Sequence, residues 1–142
     1  MPAPQVEPDW EGLVVAFESR SRQITHFFDR QTGDVVQVLE RDAARHAAMA
    51  ADPRYAALPR DSGERSHGDL EDFVATCEEA GCRRDLSAAL AEADPVAAYR
   101  SALIRHPKEE ARFFQFKQRR ARERAEEWLT AQGIPFEREV RR

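Results

Sequence analysis

The chain has 142 residues, a length that suits one domain and lets about two thirds of the unfolded surface leave water, so a core can form without disulfides or a structural metal. Its formal charge of −4 and pI near 5.6 exclude a protein whose whole surface is a nucleic-acid glove. Charged residues at 34% with apolar residues at 42%, the latter in periodic runs, exclude a disordered tail and specify a very polar globule.

Residues 1–8 hold three prolines and are expected to form a flexible or extended arm. They lack the basic and apolar regions of an export signal, and no apolar run exceeds five residues against the about 20 of a membrane-spanning helix. A cytoplasmic protein with no membrane partner is expected. Asp9 is placed to cap a helix whose apolar positions Trp10, Leu13, Val14 and Phe17 recur at spacings of three and four. Ile24 to Asp29 and Asp34 to Leu39 are β-branched and aromatic, and Arg30-Gln31-Thr32-Gly33 supplies the turn of a hairpin, with Gly33 at positive φ. An alanine-rich helix from about Arg41 to Ala51 ends at Asp52-Pro53, and Arg54 to Leu58 reads as a short third strand. The polar stretch Arg60 to Gly68 is expected to be a surface loop.

Beyond that loop the period becomes helical. Leu70, Phe73, Val74 and Cys77 share one face of a helix that Gly81 is expected to stop, with Phe73 buried between the helical half and the hairpin. Leu86, Ala89 and Leu90 mark a second short helix. Asp94-Pro95 and His106-Pro107 each place proline where a helix begins. The first of these helices is expected to bury Val96, Tyr99, Leu103 and Ile104; the second, Lys108 to Gln132, stops at Gly133 with Phe114, Ala121, Ala125, Trp128 and Leu129 on its apolar side. The expected fold class is α+β: a small antiparallel hairpin or three-stranded sheet near the N-terminus packed on a helical C-terminal half, as a single domain over 9–134 with a charged tail at 135–142.

Leu13-x-x-Ala16-Phe17, Phe28-Asp29-x-x-Thr32-Gly33-Asp34-Val35, Arg54-Tyr55-x-x-Leu58-Pro59 and Asp72-Phe73 occur in the order found in the bacterial Uncharacterised Protein Family 0158. Tyr99-Arg100 through Leu103, His106-Pro107, Phe113-Phe114-x-Phe116-Lys117, Glu127-Trp128-Leu129 and Gly133-Ile134 continue that order, so the chain resembles the family from about Trp10 to Ile134. Glu92-Ala93-Asp94-Pro95 stands where the family typically carries a Gly-Lys-Gly turn, and Ser101 where it has an aspartate. The resemblance implies a fold but no activity and no catalytic residue.

No nucleophile elbow, phosphate loop or dinucleotide fingerprint is present, and neither a catalytic residue nor a cofactor is expected. Cys77 and Cys82 are the only cysteines, and with His67 as the only histidine near them in sequence they fall short of the about four ligands of zinc. Cys77 is read as a small core hydrophobe; Cys82, beside Arg83-Arg84 whose cations favour a thiolate, offers a redox-sensitive thiol as the alternative to an inert one. His26, His46, His67 and His106 are scattered and have no ligand spacing.

The most informative segment interleaves aromatic and basic residues from Phe113 to Arg124. Residues 1–100 carry 11 basic against 19 acidic side chains, and residues 101–142 carry 11 against 7. On a helix Lys117, Arg120 and Arg124 share a face that Phe113 adjoins, a strip able to meet phosphates or an acidic partner. Arg119–Glu123, Arg122–Glu126 and Arg124–Glu127 can instead neutralise much of that charge within the helix. The expected function is a non-catalytic cytosolic interaction or regulatory module with a protein partner. An RNA- or ribosome-associated factor using this helix, with Arg138, Arg141 and Arg142, comes second, and an undescribed hydrolase or nuclease third.

Overall fold

The computed structural model describes residues 6–19, 21–60 and 64–136. The tail residues Arg138, Arg141 and Arg142, the first five residues of the arm and 61–63 of the expected loop lie outside them. Among the described residues, six helices and a three-stranded sheet follow in the order α1 (Trp10–Glu18), β1 (Ile24–Asp29), β2 (Val35–Leu39), α2 (Ala43–Ala51), β3 (Tyr55–Ala57), α3 (Glu64–Val74), α4 (Ala80–Leu90), α5 (Pro95–Ile104) and α6 (Pro107–Ala131). The architecture is α+β. The chain divides into two compact units, residues 1–60 with 121–142 and residues 61–120.

In the first unit β1 pairs antiparallel with β2 on one side and β3 on the other. Phe28 stands opposite Val35 and Ala56. Alternate residues of a strand point to opposite faces, and here both faces are covered. Phe28 joins Leu13, Ala16, Phe17, Ala121, Ala125 and Leu129, whereas Phe27 joins Val38 and Met49. Burial therefore extends from Thr25 to Asp29 without alternation. The turn depends on Gly33, whose φ is 83°. Its N–H donates to the Asp29 carbonyl at 2.8 Å, and its own carbonyl accepts from the Asp9 N–H at 2.9 Å. The Asp9 side chain in turn accepts from the Gly12 N–H at 3.0 Å and caps α1.

The second unit is helical, with one core drawn from α3, α4, α5 and the first half of α6. Phe73 is 1% exposed within the helical core, with Phe113 and Phe116 at 5.1 and 5.4 Å between ring centroids. The ends of α3 and the start of α4 differ from the sequence reading. α3 begins at Glu64, so Gly68 is helical and not in a loop. It ends at Val74, seven residues before Gly81, where the Thr76 and Cys77 N–H groups turn back to the Phe73 and Val74 carbonyls and tighten the last turn. Gly81 lies in the first turn of α4. Ile104 is not buried: it is the last residue of α5 and 65% exposed, because Tyr99, Ala102 and Leu103 already complete the buried face.

α6 is 25 residues long. Pro107 opens it, and Gly133 at φ 70° closes it, with the Gly133 N–H on the Thr130 carbonyl and the Ile134 N–H on the Leu129 carbonyl, both at 3.0 Å, as in a glycine C-cap. Among the described residues no helix is long and apolar enough to cross a membrane.

Candidate functional site

The aromatic-basic segment lies wholly within α6. Phe113 and Phe116 are buried, and Phe114 is 61% exposed, so the placing of Phe114 on the apolar side is corrected. The cause is angular: at about 100° per residue Phe113 and Phe116 lie about 60° apart, while Phe114 lies about 160° from Phe116. Counting from Ala121 and Ala125 puts Phe114 on their stripe, but residues 107–120 bury a different register in the helical core, at Glu109, Phe113 and Phe116.

The basic side chains of the strip are engaged within the fold. Arg120 lies 3.2 Å from Asp72 and stacks 5.0 Å from the Phe116 centroid. The Lys117 ammonium sits 5.7 Å from the ring of Phe113, itself a core residue against Phe73 and Tyr99. Arg122 lies 3.9 Å from Glu126, at the expected i,i+4 spacing, and 4.2 Å from the Trp10 ring; Arg124 is half-buried and also engaged. Such contacts hold guanidinium and ammonium groups against ring faces while leaving part of each in water.

A second polar group sits on the sheet. The Thr25 hydroxyl donates to Glu40 and meets His46 Nε2 at 3.1 Å, while Arg60 donates to that hydroxyl at 2.8 Å and pairs with Glu40. His46 Nε2 also lies 3.5 Å from Glu40. One imidazole nitrogen thus faces both hydroxyl and carboxylate, whereas a general base needs one nitrogen for the nucleophile and the other for its orienting acid. The group ties β1, the residue after β2, α2 and the segment after β3 together. Burial, and then the Arg60 charge, lowers the pKa of His26. His67 pairs with Glu71 at 2.9 Å, and His106 with Asp85 at 2.9 Å, so the four histidines reach no common point.

The third group joins residues that the sequence left apart. Cys77 follows α3, Cys82 lies in the first turn of α4, and Glu109 lies in the first turn of α6; their ligand atoms all fall within 4.8 Å of one another. Exposures are 1%, 0% and 7%. The Cys77 Sγ lies 3.5 Å from Glu109 Oε2, to which Arg112 also donates. Burial pushes the Cys77 thiol up to about 12 and the Cys82 thiol above its ordinary value. At Cys82 burial outweighs the neighbouring cations, and the Arg83 guanidinium donates to the Cys77 carbonyl, with Nε at 3.1 Å. Glu109 carries no sequence signal as a partner, being 32 residues from Cys77.

No curated protein and no solved structure matches this chain. The model of the Uncharacterised protein family (UPF0158) matches residues 9–140, which takes in the capped α1, the hairpin, the helical core and α6. The chain belongs to that family.

Proposed function

We propose that this protein is a non-catalytic cytosolic interaction module that regulates or scaffolds a protein partner through the exposed side of α6. The observation that carries the reading is Phe114, an aromatic side chain 61% exposed in a helix whose two neighbouring phenylalanines are core residues. Exposed aromatics flanked by charge are the side chains that anchor protein interfaces, since each offers a large apolar area at small entropic cost. At helical spacing Phe114 is flanked by Glu110, Lys117 and Gln118, a polar rim around one apolar knob. The strip of Lys117, Arg120 and Arg124 supports the same ranking over RNA, because its charges already have partners in the fold.

The test is capture of partners from source-cell lysate on the immobilised full chain, in parallel with Phe114→Asp. A specific protein retained by the wild type and lost with Phe114→Asp, at unchanged helicity, is the expected result. Retention that Phe114→Asp leaves intact, or that nuclease treatment abolishes, would overturn it, the second outcome favouring the RNA- or ribosome-associated reading.

A further inference from the structure

The core of the helical unit also brings two buried thiols against a buried carboxylate. Buried carboxylates are rare unless paired, and Arg112 pairs Glu109. That ion pair does not account for two thiols, one from the turn after α3 and one from α4, whose sulfurs lie within 4.8 Å of each other and of a Glu109 oxygen.

We propose that Cys77, Cys82 and Glu109 form a binding site for a thiophilic divalent cation, zinc by its donor set, that clips the turn after α3, the start of α4 and the start of α6 together. Two sulfurs and one carboxylate oxygen select a borderline-soft ion such as zinc over magnesium or calcium, which require oxygen donors. Tetrahedral zinc at about 2.3 Å from sulfur sets its donors about 3.8 Å apart, so donors within 4.8 Å need contract by only about 1 Å. Three protein donors leave a fourth position for water.

Charge fits as well. Two thiolates and the Glu109 carboxylate carry three negative charges, which a divalent cation and Arg112 together balance. Without the cation, two neutral thiols and the Glu109–Arg112 pair are also neutral. Exchange of two thiol protons for one cation thus leaves the buried group uncharged in both states, which avoids the cost of burying net charge. The supporting shell is built too. Arg112 Nη2 donates to the Thr76 hydroxyl at 2.8 Å while Nη1 holds Glu109, and Arg83 holds the Cys77 carbonyl, so the turn bearing Cys77 is fixed from two sides.

Cobalt(II) is the probe, added to the reduced full chain during refolding from denaturant, with the ion then displaced by zinc. One cobalt per chain, a thiolate-to-cobalt charge-transfer band and loss of that band on adding zinc are expected. Cys77→Ser and Cys82→Ser should each weaken the band and lower affinity at least tenfold, and Glu109→Gln should lower affinity tenfold or more while keeping a thiolate band. Absence of the band in the wild type, or a Cys82→Ser chain with unchanged band and affinity, would overturn the proposal. Should the variants fail to fold, the wild type decides alone: its thermal midpoint must rise with free zinc, as mass action requires, and a midpoint that does not move overturns the site.

Discussion

Arg54 closes on Asp29 through two parallel hydrogen bonds, Nε to Oδ1 at 2.9 Å and Nη2 to Oδ2 at 2.8 Å. Asp29 is buried at the end of the central strand and also accepts from the Gln31 and Thr32 N–H groups, so one carboxylate holds the hairpin turn and the third strand together. The Arg54 hydrogen bonds, followed by those backbone donors, hold its pKa well below the ordinary carboxylate range. An unfolded Asp takes up its proton near pH 3.9, before the native one does, so the stabilisation is complete above about pH 5 and drains away as pH falls from there toward the native value. Asp29→Asn should cost about 2 kcal/mol at pH 7. The gap between wild type and variant in denaturant unfolding should narrow below about pH 4, and a gap independent of pH would show that the carboxylate charge is not what the turn uses.

Gly33 and Gly133, both left-handed, separate strain from crowding. A Cβ on Gly33 would stand 2.3 Å from the Glu7 carbonyl oxygen, whereas one on Gly133 meets nothing within 4 Å. Gly133→Ala should therefore cost about 1 kcal/mol, the penalty of the left-handed backbone alone, and Gly33→Ala more than about 2 kcal/mol. Gly33→Val should be worse again. Equal costs at the two positions, measured by urea unfolding, would mean that the chain at Glu7 moves away without penalty.

Phe73 and Phe114 make an opposite pair. Phe73→Ala empties a site enclosed by Phe113, Phe116 and the Arg112 guanidinium and should cost about 3 to 5 kcal/mol. Phe114→Ala should change stability by less than about 0.5 kcal/mol, as expected of an exposed position. Thermal or chemical unfolding of the two variants checks both, and a large loss at Phe114 would place that ring in a core.

Reversing Lys117, Arg120 and Arg124 to Glu tests the cationic strip. The triple variant should stay folded, since the apolar positions Ala121, Ala125 and Leu129 are untouched and the Arg120–Asp72 contact is a surface pair worth a few tenths of a kcal/mol. Wild-type binding to RNA or DNA should be no tighter than about micromolar at physiological salt. Submicromolar binding that falls steeply with salt and vanishes in the variant would promote the nucleic-acid reading above the protein-interaction one.

Local chemistry was readable directly from the residues. The Asp9 cap, the hairpin with positive φ at Gly33, the alanine-rich helix, the proline starts of α5 and α6 and the glycine stop at Gly133 each depend on a few neighbouring residues, and the structure has all of them. What the sequence could not decide involves partners distant along the chain. Gly68 and Gly81 read as loop and stop, yet both are helical, because the end of α3 is set by the backbone turning at Phe73 and Val74. The three phenylalanines of α6 offer two registers of burial, and only contact with Phe73 and Tyr99 selects Phe113 and Phe116 over Phe114. Asp29 and Arg54 are 25 residues apart, and Glu109 is 32 from Cys77. Hydrophobic period and capping propensity act within a turn or two of helix, whereas the register of a long helix, the charge state of a thiol and the grouping of ligand atoms are settled by which surfaces desolvate one another once the helices pack.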